Sequence, residues 1–116
     1  MSQEDCIFCR IIAGDIPSKK VFEDETCVAF HDLSPQAPTH VLVVPREHFA
    51  SLAAADEKHK ETLGHLLLAC GEIARGQNLA DDGYRVVINT GDLGGQTVHH
   101  LHVHLLGGRQ FIFPPG

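Results

Sequence analysis

An alternation of histidine with apolar residues near the end of the chain restricts most strongly how this sequence can fold. From position 100 the order is His, Leu, His, Val, His, Leu. Successive side chains of a β-strand point to opposite faces, so we predict a strand over 97–106 with one apolar face against a core. Its other face would carry His100, His102 and His104, about 7 Å apart along the strand. Such a face can simply be solvated or can bind a metal, although solvated strands more often mix Thr, Lys and Glu.

The remainder of the chain predicts two helices and four further strands. Apolar residues at helical spacing indicate a short helix over 6–12, with Asp5 as its N-cap, and one long helix over 56–79. Runs rich in β-branched and aromatic residues, bounded by turn residues, indicate the strands. They are 20–23, 26–31, 40–44 and 84–89. Short connections between most strands favour an antiparallel five-stranded meander covered by the long helix, an α+β fold.

Length and composition narrow the class of protein. With 116 residues the chain forms one domain, 1–116, because two cores would not fit. Its 9 Lys and Arg against 15 Asp and Glu give a net charge of -6 without a basic patch, so we expect no polymeric nucleic acid partner. No apolar run approaches the roughly 20 residues that cross a bilayer, and the first residues are acidic where a signal peptide is basic. We therefore expect a cytoplasmic protein without a membrane partner.

The four cysteines are too unevenly spaced for a disulfide framework and are expected to be thiols. Cys6 and Cys9 form a C-x-x-C motif. In such a chain this motif is typical of a redox pair or of half a zinc site, and no thioredoxin-like βαβ pattern surrounds it. A zinc site would need two more ligands from elsewhere in the sequence.

A glycine-rich turn, Gly94-Gly95-Gln96-Thr97, comes just before the three alternating histidines. Its backbone N–H groups can form a concave anion site, with the Thr97 hydroxyl as a further donor. Most such turns only connect strands. Beside three imidazoles, however, an anion site suggests phosphate chemistry.

Residues 95–106 resemble the signature of the histidine triad (HIT) nucleotide-binding family, in which three histidines alternate with apolar residues. The resemblance covers nearly the whole chain and includes 11–12, 16–18, 30–40, 82–85, 106–110 and 114–116. The stretch 34–40 and the tail are similar to the branch that hydrolyses nucleoside phosphoramidates. This resemblance implies a single HIT domain that forms a homodimer.

The resemblance implies a catalytic set of four residues. His102 would be the nucleophile that attacks the phosphorus and forms a nucleotidyl-histidine, which water then hydrolyses. His104 and the N–H groups of Gly95 to Thr97 would hold the phosphate oxygens, and the Thr97 hydroxyl would lie near the phosphate or the leaving group. His40 would hydrogen-bond the catalytic imidazole and fix its tautomer, although a strand-start histidine can also bond only to backbone.

A purine nucleotide site is also implied. Asp32 would accept hydrogen bonds from the ribose, although a residue directly after a strand can equally cap a turn. Asn89 would contact the phosphate, and apolar side chains would form a slot for the base. The implied nucleotide-binding set is Ile7, Phe8, Ile11, Phe30, His31, Asp32, Leu33, Asn89, Gly95, Gln96, Thr97, His102 and His104.

Family members with the C-x-x-C motif resemble zinc proteins, which implies a structural zinc held here by Cys6, Cys9, His48 and His100. Catalysis would need no cofactor. The implied function is hydrolysis of purine nucleoside phosphoramidates, of AMP or GMP type, to a monophosphate and an amine. Two alternatives stay open: a dinucleoside polyphosphate hydrolase, and a nucleotide- or zinc-binding interaction module with incidental turnover.

Overall fold

The computed structural model describes residues 5–116 and consists of one five-stranded antiparallel sheet with a helix on each face. This confirms the predicted α+β class. Along the chain the elements are α1 (Ile7–Ile12), β1 (Lys20–Glu23), β2 (Cys27–His31), β3 (Thr39–Pro45), a 3-10 turn (Glu57–His59), α2 (Lys60–Gly76), β4 (Tyr84–Val87) and β5 (Val103–Gly107).

The strands of the sheet lie in the order β1-β2-β3-β5-β4, so the last strand is central and β4 is at an edge. The first three strands follow the predicted meander, whereas the end of the chain departs from it because β5 lies between β3 and β4. Leu42 of β3 and Val87 of β4 both pair with His104. Burial explains this order: Val103 and Leu105 are fully buried, whereas Val86 on β4 is exposed, as an edge position allows.

The two faces of the sheet pack against different helices because strand side chains alternate. Ala29 and Val43 belong to the main core with α2, whereas Val28 and Phe30 pack with Phe8 of α1. The α2 residues of the main core are Leu66, Ala69, Cys70, Ile73 and Ala74. Helix α1 thus closes part of the face that α2 leaves open, and the site described below lies on that side.

The histidine strand is shorter than predicted, because β5 begins at Val103. The backbone before it is hydrogen-bonded outside the sheet: the Leu101 N–H donates to the Phe49 carbonyl at 2.8 Å, and the Val98 carbonyl accepts from the Gln96 side chain at 3.0 Å. Only His104 of the triad is therefore a strand residue.

Three other boundaries also shift. The N-cap of α1 is Cys6, whose Sγ accepts the Cys9 N–H at 3.4 Å, so the prediction of Asp5 was wrong. Strand β4 ends at Val87, which places Asn89 in the following loop. The long helix is shorter at both ends than the predicted 56–79: α2 begins at Lys60, after the 3-10 turn, and ends at Gly76, before Asn78 adopts a left-handed φ of 61°.

Within residues 5–116, no helix is both long and apolar enough to cross a membrane. Positions 1–4, which contributed to the expected location of the protein, lie outside the described residues.

Candidate active site

A cavity of about 630 Å³ opens on the α1 side of the sheet, within the roughly 300–1,000 Å³ range of small-molecule sites. Its lining is mostly apolar, with the imidazoles of His40, His102 and His104 among the polar groups. The predicted nucleotide-binding residues that line it are Ile7, Phe8, Ile11, Phe30, His31, Asp32, Leu33, Gly95, Thr97, His102 and His104. Lining residues that the sequence prediction missed are Ile16, Pro17, Ser18, Ser34, Gln36, Leu42 and Val98.

Two predicted binding residues, Asn89 and Gln96, are not among those that line the cavity. The Gln96 side chain is buried and bonded within the surrounding loops: Nε2 donates to the carbonyls of Ala50 at 2.6 Å and Val98 at 3.0 Å, and Oε1 accepts the Gly91 N–H at 3.0 Å. The structure therefore gives Gln96 a role in loop shape. No local sequence pattern distinguishes this role from ligand binding.

The glycine-rich turn also differs from the predicted anion site. The Gly95 N–H donates to the Asp92 carbonyl at 3.1 Å, and the Gln96 N–H donates to the Gly91 carbonyl at 3.0 Å. Both groups are paired inside the turn, whereas in the predicted anion site they would hold a phosphate. Thr97 is exposed and lines the cavity, so its hydroxyl is a donor that the turn can present there.

His102 presents a ring nitrogen with a free electron pair to the cavity. Its Nδ1 lies 2.8 Å from the His100 carbonyl oxygen and must donate the proton of this hydrogen bond, because a carbonyl only accepts. Nε2 of the neutral ring is therefore unprotonated. Burial lowers the pKa of His102, opposed by this hydrogen bond and by Asp32. The ring also packs edge-on against Phe8, with centroids 5.0 Å apart.

His104 has the opposite tautomer. The Gln36 N–H donates to Nδ1 of His40 at 3.0 Å, so the proton of the neutral His40 ring is on Nε2. His40 Nε2 lies 2.9 Å from His104 Nδ1 and donates to it. The proton of His104 is therefore on its own Nε2. The expectation that His40 bonds the nucleophile His102 was wrong, because its partner is His104.

Both members of this pair are neutral near pH 7. The pKa of His104 is lowered from its ordinary 6.5 to about 4, mainly by burial and also by the neighbouring His102 and His40, against an opposing effect of Asp32. Burial also lowers the pKa of His40, opposed by Asp32, whose Oδ2 lies 3.5 Å from His40 Nε2. The other Asp32 oxygen accepts the Ser34 N–H at 2.8 Å, so this residue both caps a turn and lines the cavity.

The four predicted metal ligands form one cluster beside the cavity. His100 Nδ1 lies 3.3 Å from Cys6 Sγ, 3.5 Å from Cys9 Sγ and 3.1 Å from His48 Nδ1. Zn–N bonds of ~2.0–2.1 Å and Zn–S bonds of ~2.3 Å place tetrahedral ligand atoms about 3.3–3.8 Å apart, close to these values. His100 Nε2 donates to the Pro45 carbonyl at 2.8 Å, which leaves the Nδ1 electron pair for a metal.

The cluster of predicted metal ligands and His102, the predicted nucleophile, both involve His100. Its imidazole belongs to the cluster, and its carbonyl accepts the proton of His102 Nδ1. Phe8 lies in the sequence between Cys6 and Cys9 and packs edge-on against the rings of both histidines, at 6.0 and 5.0 Å. The cluster thus adjoins the wall of the cavity.

Comparison with known proteins agrees with this geometry. The HIT domain family model matches residues 13–111. The chain is 54% identical over 113 residues to an uncharacterized HIT-like protein of Synechococcus elongatus, covering 97% of this chain and 98% of that protein. It is 53% identical over 112 residues to the 14 kDa zinc-binding protein of Zea mays, covering 95% and 87%.

A solved structure is also closely similar. The HIT family hydrolase of Legionella pneumophila superimposes with a TM-score of 0.94 at 45% identity, covering 97% of this chain and all of that one. The family model and these relatives cover almost all of the sequence. The chain therefore belongs to the HIT domain family.

Proposed function

We propose that this protein hydrolyses purine nucleoside phosphoramidates through a nucleotidyl-His102 intermediate. One observation carries the proposal: His102 and His104 line one cavity with centroids 5.0 Å apart and have opposite tautomers. One ring offers an electron pair and the other offers an N–H, as a nucleophile and an oxyanion donor require. The hydrolase of Legionella pneumophila, which has the same fold, supports hydrolysis as the reaction class.

The reaction occurs in two displacements at phosphorus. His102 Nε2 forms a bond to phosphorus while the P–N bond to the amine breaks, and the leaving nitrogen takes up a proton from solvent. Water then attacks phosphorus and releases a proton to solvent, the bond between phosphorus and His102 breaks, and the monophosphate leaves. His104 Nε2–H donates to a phosphate oxygen as negative charge builds, and the Thr97 hydroxyl contacts the phosphate or the leaving group.

The remainder of the cavity fits the nucleoside. Phe8, Ile11 and Phe30 form an apolar wall against which a purine can stack. Leu33 also lines the cavity but is 96% exposed, so a bound base would cover it and remove apolar surface from water. The half-buried Asp32 carboxylate is the acceptor offered to the ribose hydroxyls.

We also propose a structural zinc on Cys6, Cys9, His48 and His100. When bound, the metal cross-links α1, the loop after β3 and the segment before β5. This fits the cluster geometry, and the related Zea mays protein is named for zinc binding. Catalysis depends on His102 and does not require the metal.

A homodimer is proposed from the surface that the described residues leave exposed. Leu67 and Leu68 of α2 are 51% and 77% exposed, and Tyr84 and Val86 on the edge strand β4 are exposed as well. Apolar side chains at a sheet edge and on a helix are typical of an interface between copies. Light scattering at micromolar concentration should show a dimer, and a monomer would contradict this part of the proposal.

The test of function uses adenosine 5'-phosphoramidate. The wild-type protein should release AMP and ammonia, and rapid quenching without acid should trap a protein species heavier by one adenylyl group. The variant His102→Asn should give neither product nor adduct. Faster cleavage of a dinucleoside polyphosphate would favour that alternative, and AMP binding without turnover of either substrate would favour the interaction module.

A further inference from the structure

We infer that the Ser18 hydroxyl is the polar contact to the nucleobase, which makes Ser18 a specificity-determining residue of the cavity. The inference rests on the proposed function in that the ligand is a purine nucleotide. Ser18 lies in the segment between α1 and β1, and no role for it follows from the triad, the turn or the metal cluster.

The first observation is an unpaired buried hydroxyl. Among the described residues, Ser18 Oγ is the buried side-chain oxygen or nitrogen that has no hydrogen-bond partner. Leaving such a group without a partner costs about 1–3 kcal/mol, so buried polar atoms nearly always have one. A ligand that supplies the missing hydrogen bond gives a physical reason for a serine at this position.

The second observation is its place in the cavity. Ser18 lines the cavity together with its neighbours Ile16 and Pro17. Ile16 packs against the cluster that contains Phe8, Ile11 and Phe30, the apolar wall assigned above to the purine. Ser18 therefore belongs to the wall that faces the base, and rotation about its χ1 bond can turn the buried hydroxyl toward a bound ligand.

The chemistry of this wall favours a base edge as the partner. A purine has apolar faces and a rim of ring nitrogens and exocyclic groups, and the faces suit the aromatic and aliphatic wall. The rim needs polar partners when it leaves water, because burying it without them costs free energy. A hydroxyl both donates and accepts, so Ser18 can pair with a ring nitrogen or with an exocyclic amino or carbonyl group.

The inference predicts that Ser18→Ala changes stability and nucleotide affinity in opposite directions. Without ligand the variant should be as stable as the wild type or more stable, because it loses an unpaired buried hydroxyl. It should bind AMP, GMP or both about 3- to 10-fold more weakly, the loss expected for one neutral hydrogen bond. A residue that only supports the fold would show the reverse pattern.

The experiment measures melting temperature and calorimetric affinity for AMP, GMP and ribose 5-phosphate, which has the sugar and phosphate but no base. Ser18→Ala should weaken AMP or GMP or both and leave ribose 5-phosphate within about 2-fold. Ser18→Cys, close in size but a weak donor, should behave like the alanine variant. Ser51→Ala is the matched control, because Ser51 is also half-buried but does not line the cavity.

Unchanged affinity for both nucleotides in Ser18→Ala would overturn the inference. An equal loss for ribose 5-phosphate would also overturn it, because the hydroxyl would then act on the sugar, the phosphate or the fold. Turnover of the phosphoramidate distinguishes the two proposals. A wild-type protein that binds AMP in a Ser18-dependent way but hydrolyses nothing would remove the proposed activity and keep the base contact, whereas normal hydrolysis with unaffected Ser18→Ala binding would do the opposite.

Discussion

His40 Nε2 lies 2.9 Å from His104 Nδ1, so His40 is hydrogen-bonded to His104, the proposed donor to the phosphate, and not to His102, the proposed nucleophile. His102 has its own support, the His100 carbonyl at 2.8 Å from Nδ1. The tautomers of His102 and His104 are therefore set by different neighbours. His40 supports His104, and the His100 carbonyl supports His102. Because these two partners are separate, a substitution that removes one of them should affect one of the two rings and not the other.

Substitution of the nucleophile should abolish turnover and spare binding. His102→Ala should lower hydrolysis by more than about 1,000-fold, because no covalent intermediate can form, while AMP affinity stays within a few-fold. Steady-state rates and calorimetry measure the two effects, with His99→Asn as an exposed control. Wild-type-like hydrolysis by His102→Ala would exclude this residue as the nucleophile.

Removal of the His40 support should slow the reaction without preventing adduct formation. His40→Gln should lower the rate roughly 10- to 100-fold, since His104 loses the partner that keeps its proton on Nε2. The trapped nucleotidyl-protein should still form, more slowly, because His102 keeps its bond to the His100 carbonyl. Loss of the adduct as complete as in His102→Ala would show that His40 also supports the nucleophile.

Folding stability should fall as pH drops from about 6.5 to about 4. The pKa of His104 is lowered to about 4 in the folded protein, so between these values the unfolded chain binds more protons there. The contribution is fully present above pH 6.5 and is lost at up to ~1.4 kcal/mol per pH unit. Urea unfolding at several pH values should show a shallower pH dependence for His104→Asn and an unchanged one for Gln110→Ala, an exposed substitution that removes no titratable group. Equal slopes in all three proteins would contradict the lowered pKa.

Loss of the metal should lower the stability of the protein more than its rate of hydrolysis. Protein prepared without chelator should contain about one zinc per chain, and Cys9→Ser should lose the metal and several degrees of melting temperature. Folded Cys9→Ser should still hydrolyse substrate. Cys70→Ala is the control, a buried thiol outside the cluster that should keep the metal. Metal analysis without zinc would contradict the site, and a folded, zinc-free protein without activity would contradict its purely structural role.

Gln96 should matter for the loop and not for direct ligand contact. Gln96→Ala removes three hydrogen bonds, including the partner of the Gly91 N–H, and should destabilise the protein by about 2–4 kcal/mol. Gln110→Ala, an exposed glutamine, should change stability by less than ~0.5 kcal/mol. Chemical denaturation measures both, and equal stability of the two variants would show that the Gln96 network contributes little.

Much of the fold and the residue types of the site could be predicted from local patterns. The long helix, the first three strands and the α+β class follow from periodicity and turn residues, which depend on neighbours in sequence. The family resemblance also identified the four side chains that the structure brings into one cluster, Cys6, Cys9, His48 and His100. The zinc itself stays a proposal.

Contacts between distant segments decided the rest. His40 and His104 are 64 positions apart, and only the pairing of β3 with β5 brings their rings together. The same holds for Gln96, whose amide reaches Ala50, and for β5, which is central because its buried side chains exclude an edge position. Local sequence patterns therefore indicate which groups are present and which helices, strands or loops carry them. They do not indicate which imidazole carries its proton on which nitrogen, because a tautomer depends on hydrogen-bond partners that only the folded chain brings together.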